Sequence, residues 1–240
     1  MTTDGRYRRL AGLLALLLIF SLVIIKVSLA TPVGAAFTNI TTSERAMSTP
    51  DSFTSNRGTI TTVVLNATQQ DQHWKAYVGN VSGALTLDDA SNNTIYDWSF
   101  ATITGEVYAS NTTLDFSSVA CANITTLNTY MVKLNMTASE VDSITSTFNS
   151  TNHDATVVAG TTLSSCNMTS LYVNNASQGQ NNTADFQEFL MQDANQQLVY
   201  VAIINDDTTG YNGYSYDFQL IVGESHVQSP LTYYFYVELG

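Results

Sequence analysis

The sequence predicts a mainly β protein: an antiparallel β-sandwich-like domain with a small helical insertion, preceded by an N-terminal hydrophobic helix. Three observations predict it. From residue 59 onward, short runs rich in Val, Ile, Thr, Tyr and Phe recur between turn clusters, as strands require. One stretch near the middle has helical rather than alternating periodicity. An apolar run without charge follows three arginines at the N-terminus.

That run, Leu10 to Ile25, comes directly after Arg6, Arg8 and Arg9. Lys26 interrupts it before Val27 to Ala30. Residues 1–30 therefore read as a signal peptide, with small-residue sites at Ala30 and Ala36, or as an N-terminal membrane anchor. The arginines favour an N-inside orientation, so both readings export the rest of the chain. Residues 31–58 are rich in Thr, Ser, Ala and Gly, hold Pro32 and Pro50, and lack a sustained apolar period. They read as a stalk or linker.

The β domain spans residues 59–240. Ile60 to Leu65 (ITTVVL) reads as a strand, and Trp74, Tyr77 and Val81 to Leu87 continue the pattern. Asp88 to Asn93 is a turn cluster. Thr94 to Phe100 returns from it and Ile103 to Ala109 follows, so the first half reads as an antiparallel meander. The helical insert occupies about residues 124–149. Leu127, Met131 and Leu134 mark one face of a helix. Thr137 and Glu140 have capping-box spacing, with Val141, Ile144 and Phe148 on one face after them. Phe186 to Met191 and Leu198 to Ile204 then form a hairpin, followed by a DDTTGYNG turn and two last strands, Tyr214 to Val222 and Leu231 to Leu239. Alternation in YSYDFQLIV predicts Ser215, Asp217 and Gln219 on the solvent side.

Composition narrows the function. The 240 residues carry a net charge of −12, yet only 12% are charged. After residue 30 the chain keeps Arg45, Arg57, Lys75 and Lys133 against every acid except Asp4, so the balance moves to −15. No basic face exists to neutralise phosphates, which excludes nucleic acid as a partner. Thr (33), Ser (23) and Asn (20) replace the missing charge. Asn-X-Ser/Thr triplets begin at Asn39, Asn66, Asn80, Asn92, Asn111, Asn123, Asn135, Asn149, Asn167, Asn175 and Asn181. That is about twice the number chance would give, and it points to an N-glycosylated ectodomain. The two cysteines, Cys121 and Cys166, are expected to pair in an oxidising compartment.

The search for chemistry is mostly negative. No nucleophile elbow, phosphate loop or dinucleotide fingerprint is present, so no catalytic residues and no cofactors are expected. His73, His153 and His226 lack metal-ligand spacing with the cysteines. Asp206, Asp207, Asn212 and Asp217 offer oxygen ligands to calcium, but the spacing serves an ordinary hairpin turn equally well. Asp88, Asp89, Asp97 and Glu106 are the carboxylates a hydrolase would draw on, and nothing in the sequence marks them. Trp74 and Trp98, the only tryptophans, are the candidate platform for stacking a sugar or other ligand.

The stretch Ala67 to Ser110, with WKAYVGN, TIYDW and GEVYA, resembles a segment of uncharacterised archaeal cell-surface proteins, including those of small-genome symbiotic archaea. The resemblance runs on through VNNASQ (Val173 to Gln178) and YDFQLIV to the terminal TYYFYVEL. It implies an archaeal, exported, envelope-attached protein without an assigned activity. The expectation is a structural or interaction protein whose partners are the membrane, through its N-terminal helix, and other envelope proteins or copies of itself. A carbohydrate-binding module is the alternative, and a secreted hydrolase a more distant one.

Overall fold

The computed structural model describes residues 31–240 except 37, 39, 40, 47, 48, 51, 53, 55, 173–178, 226, 228 and 229. The apolar N-terminal segment, Asn39, Asn175 and His226 lie outside the described residues. Among those described, no helix is long and apolar enough to cross a membrane.

The fold is mainly antiparallel β with two short helices. In chain order the elements are β1 (Val33–Gly34), β2 (Trp74–Gly79), β3 (Ala84–Asp88), β4 (Thr94–Ser99), β5 (Gly105–Ser110), β6 (Ala120–Cys121), α1 (Ile124–Lys133), α2 (Ile144–Thr147), β7 (Thr156–Val158), β8 (Thr161–Leu163), β9 (Met168–Ser170), β10 (Gln187–Gln192), β11 (Leu198–Ile203), β12 (Thr208–Thr209), β13 (Ser215–Tyr216), β14 (Phe218–Gly223) and β15 (Tyr234–Leu239). The main sheet runs β1-β15-β5-β11-β10-β6, with β9 beside β6 along the same edge of β10.

Successive strand residues point to opposite faces, and both faces of this sheet are covered. Ala109, Leu190, Leu198, Tyr200 and Ala202 face α1, α2 and the ribbon made by β2 and β14. Tyr108, Phe189, Met191, Val199 and Val201 face Val119, Val158 and Leu163 from the β7–β8 hairpin and the 111–121 loop. This double cover is why QEFLMQ and LVYVAI bury nearly every residue. Two glycines permit close approaches. Gly105 has φ +122° and a Cβ there would collide with the Glu238 carbonyl; a Cβ at Gly223 would meet Leu134 and the Tyr200 hydroxyl.

Cys121 and Cys166 are disulfide-bonded, with Cα atoms 4.9 Å apart. The bond joins β6 to the residue two before β9, so it ties together the two short strands on one edge of β10. His153 braces the same point. Its Nδ1–H donates to Asp154 O (2.7 Å), its Nε2 accepts from Cys166 N (2.9 Å), and its ring stacks on Phe189. Burial holds this neutral imidazole below the usual histidine range.

Several sequence expectations are corrected. The first half is not a meander: only β3 and β4 pair as neighbours, whereas β2 pairs with β14 and β5 lies between β11 and β15. Ile60–Leu65 pairs with no strand and is exposed throughout. In the insert, Glu140 does reach back to the Thr137 N–H (2.8 Å), but it closes only a turn. The second helix begins later, capped by Ser143, which leaves Val141 exposed while Ile144 and Phe148 are buried. Asp217 and Gln219 are buried rather than solvent-facing. Asp217 accepts from the backbone N–H groups of Val81 (2.7 Å) and Asp207 (3.0 Å); Gln219 accepts from Tyr211 N (3.0 Å) and donates to Tyr172 O (3.2 Å). Turn backbone with no strand partner draws these side chains inward.

Candidate interaction surface

The β3–β4 ribbon stands apart from the rest of the domain in one respect: all eleven of its residues are exposed. Its turn is built by Asp89, whose carboxylate accepts from Ser91 N, Asn93 N and Asn93 Nδ2 while Asn92 adopts φ 61°. These bonds hold the Asp89 carboxyl below the usual range. The register places Leu85 opposite Trp98 and Leu87 opposite Tyr96. These four side chains therefore share one face. Tyr96 and Trp98 pack ring on ring at 4.9 Å, and both are still at least half exposed. Among the described residues β3 pairs only with β4, so both outer edges of the ribbon carry unpaired backbone groups.

A second apolar feature is a groove of about 400 Å³ beside the sheet edge, lined by Gly34, Ala35, Tyr77, Tyr233, Tyr234, Phe235 and Tyr236. Tyr77 and Phe235 meet edge to face at 5.0 Å. The two tryptophans are not brought together, because they sit in different ribbons. Trp74 packs against Phe148 and Tyr200 and donates its indole N–H to Asp142 O (2.7 Å). Trp98 presents its ring to solvent.

Nine of the sequon asparagines fall among the described residues, and none of these is fully buried. Asn66, Asn80, Asn92, Asn123, Asn135 and Asn149 are exposed; Asn111, Asn167 and Asn181 are half-buried. Their amide nitrogens differ. Asn123 caps α1 through Oδ1, accepting from Thr126 N (3.0 Å), and Asn111 accepts from the Tyr130 hydroxyl (3.1 Å). Asn149 and Asn167 instead donate Nδ2 itself, to Ser146 O (2.9 Å) and Phe148 O (3.0 Å).

The carboxylates fall into three settings. Asp88, Asp89 and Asp97 lie on the exposed ribbon. Glu106 is buried in β5 directly opposite Glu238 of β15, under the β7–β8 turn, and the Tyr108 hydroxyl lies 2.9 Å from Glu238 Oε2 and 3.3 Å from Glu106 Oε2. A phenol has one proton. It bonds Glu238, and a proton on Glu106 completes the triad. Burial, with Glu238 alongside, pushes the Glu106 carboxyl up to about 7, and burial raises Glu238 as well. Glu188 accepts from Ile221 N (2.8 Å) and is pushed well above its ordinary range by full burial. These carboxyls are buried. The 206–217 segment does not gather ligands: both Asp217 oxygens accept backbone N–H groups, and Asn212 accepts from Tyr214 N (3.2 Å). Among the described residues, His73, Glu140 and Asp142 alone bring three His, Cys, Asp or Glu ligand atoms within 4.8 Å of one another.

Sequence reasoning did not find Glu238, Glu188 or the His73–Asp142 pair. Their partners are remote in sequence, and no local spacing signals them. No family model matches the chain, and no curated protein or solved structure matches it either.

Proposed function

We propose that this chain is a structural or interaction protein of an archaeal cell envelope. Residues 10–30 tether it to the cytoplasmic membrane or are removed with a cleaved signal, and the N-glycosylated β domain works outside the cell. It contacts other envelope proteins or copies of itself and performs no catalysis. The observation that carries this reading is the pairing of two unsatisfied β features: an apolar ribbon with free edges, and the exposed strand-like segment Ile60–Leu65. A two-stranded ribbon is marginal alone and gains stability from a third strand or a cover. Strand addition by the N-terminal stretch of one copy to the sheet of the next would supply it and build a filament. In that assembly the sandwich-like domain is the repeating unit.

Light scattering and cryo-EM of the native envelope extract test the reading. Polymers, or complexes dispersed by replacing Val63 and Val64 with Asp, are expected. A freely diffusing monomer under all extraction conditions would overturn it.

The tyrosine-lined groove supports a second reading, a carbohydrate- or ligand-binding module. A glycan array on the same material separates the two. Saccharide binding lost in Tyr77→Ala but unaffected by the Val63 and Val64 changes would favour the groove.

A further inference from the structure

The cluster around His73 lies where the exposed N-terminal stretch enters the domain. Asp71 and His73 immediately precede β2, and Glu140 and Asp142 come from the connection between α1 and α2. The pieces are locked together by backbone. His73 N donates to Asp71 Oδ1 (2.7 Å), Trp74 Nε1 donates to Asp142 O (2.7 Å), and Glu224 N donates to His73 O (2.7 Å). His73 Nδ1 lies 2.9 Å from Asp142 Oδ2. The imidazole is nine-tenths buried. The two carboxylates of the trio are half-buried beside it.

Asp71, Glu140 and Asp142 thus lie around one imidazole. Even a protonated His73 offsets only one of three carboxylates. The ligand atoms are already near their places. His73 Nδ1 and Asp142 Oδ2 already meet at 2.9 Å, and an ion would take the place of the proton shared between them. One Glu140 oxygen accepts from Thr137 N, and the carboxylate belongs to the trio.

We propose that His73, Glu140 and Asp142, with Asp71 beside them, bind a divalent transition-metal cation. The imidazole nitrogen selects Zn²⁺ or Mn²⁺ over Ca²⁺, which takes oxygen alone. Both cysteines are in the disulfide, so no thiolate competes. The ion clips the N-terminal tether to the helical insert.

Calorimetric titration of the chelator-treated protein with ZnCl₂, MnCl₂ and CaCl₂ tests this. One equivalent of Zn²⁺ or Mn²⁺ is expected, with about micromolar affinity, together with a rise in Tm. Ca²⁺ should bind more weakly. Glu140→Gln and His73→Gln should each weaken binding by about tenfold or more. Glu140 lies on a connecting turn, so its variant keeps the test open if His73→Gln fails to fold. Cobalt substitution gives a readout independent of stability: ligand-field bands should appear in the wild type and change in His73→Gln. No uptake by the wild type, tighter Ca²⁺ than Zn²⁺, or unchanged affinity in a folded Glu140→Gln or His73→Gln variant would overturn the proposal.

Discussion

β10–β11 and β3–β4 are two antiparallel hairpins of similar length, both with aromatic and aliphatic side chains paired across the strands. The first is covered on both faces and buries nearly every residue; the second is covered on neither. The difference lies in neighbours rather than in composition. α1, α2 and β14 close one side of β10–β11 and the β7–β8 hairpin closes the other. Nothing within the described chain does this for Leu85, Leu87, Tyr96 and Trp98. An apolar face that folding leaves open is one that association can close.

The sharpest way to break the contrast is to cut the same kind of group from both hairpins. Phe189→Ala should lower stability by about 3–5 kcal/mol in urea denaturation, because the ring is fully enclosed. Removing the disulfide with Cys121→Ser and Cys166→Ser should cost about 2–4 kcal/mol. That loss would also free the β6–β9 edge, seen as faster hydrogen exchange there.

The core carboxyls give the covered sheet a pH signature. The folded chain keeps Glu106 protonated up to about pH 7, whereas the unfolded chain ionises it around its ordinary value of 4.5. The folded state then binds more protons across that window, so its stability is greatest below it and falls as pH rises through it. Glu106 alone contributes about 3 kcal/mol to that fall. Glu188 and Glu238 act in the same direction. His153 opposes them, because its depressed value favours the folded state above the ordinary histidine range and not below it. Asp71 and Glu224 are raised too, so with five carboxyls against one imidazole calorimetric Tm should rise from pH 7 to about pH 5. Glu106→Gln should flatten the slope.

A finer probe is Asn123. Asn123→Ala removes the α1 cap and should cost about 1 kcal/mol, while Asn123→Ser removes the sequon but keeps a capping oxygen. Comparing their melting curves separates cap from glycan. The smallest effect belongs to the ribbon. Trp98→Ala should change monomer stability by less than about 0.5 kcal/mol, yet reduce self-association by light scattering. An equal loss in both hairpins would mean that β3–β4 is folded against something else.

Local chemistry was legible in the sequence. The β10–β11 hairpin, the Asp89 turn and the face made by Leu127, Met131 and Leu134 all follow from residues near one another, and the Cys121–Cys166 pair, 45 residues apart, follows from there being only two cysteines. Strand partners were not legible, because the register of β5 with β15 is set by packing across the whole chain. The buried polar groups escaped for the same reason. His73 and Asp142 are 69 residues apart, and Tyr108 and Glu238 are 130 apart. Asp217 read as a surface residue because alternation alone cannot reveal the backbone N–H groups waiting for it.

If the chain is exported and glycosylated as proposed, the Asn167 amide bears on when its sequon can be modified. Its nitrogen bonds the Phe148 carbonyl, half-buried beneath the insert. A glycan there replaces one of the two amide hydrogens, and only the other can keep the bond to Phe148 O. A transferase would therefore reach Asn167 less readily once this corner closes, whereas Asn66 and Asn80 are exposed in the fold. Occupancy at Asn167 relative to Asn66 is in effect a stopwatch. On that reading, a bare Asn167 on a chain modified at Asn66 would point to folding ahead of glycosylation.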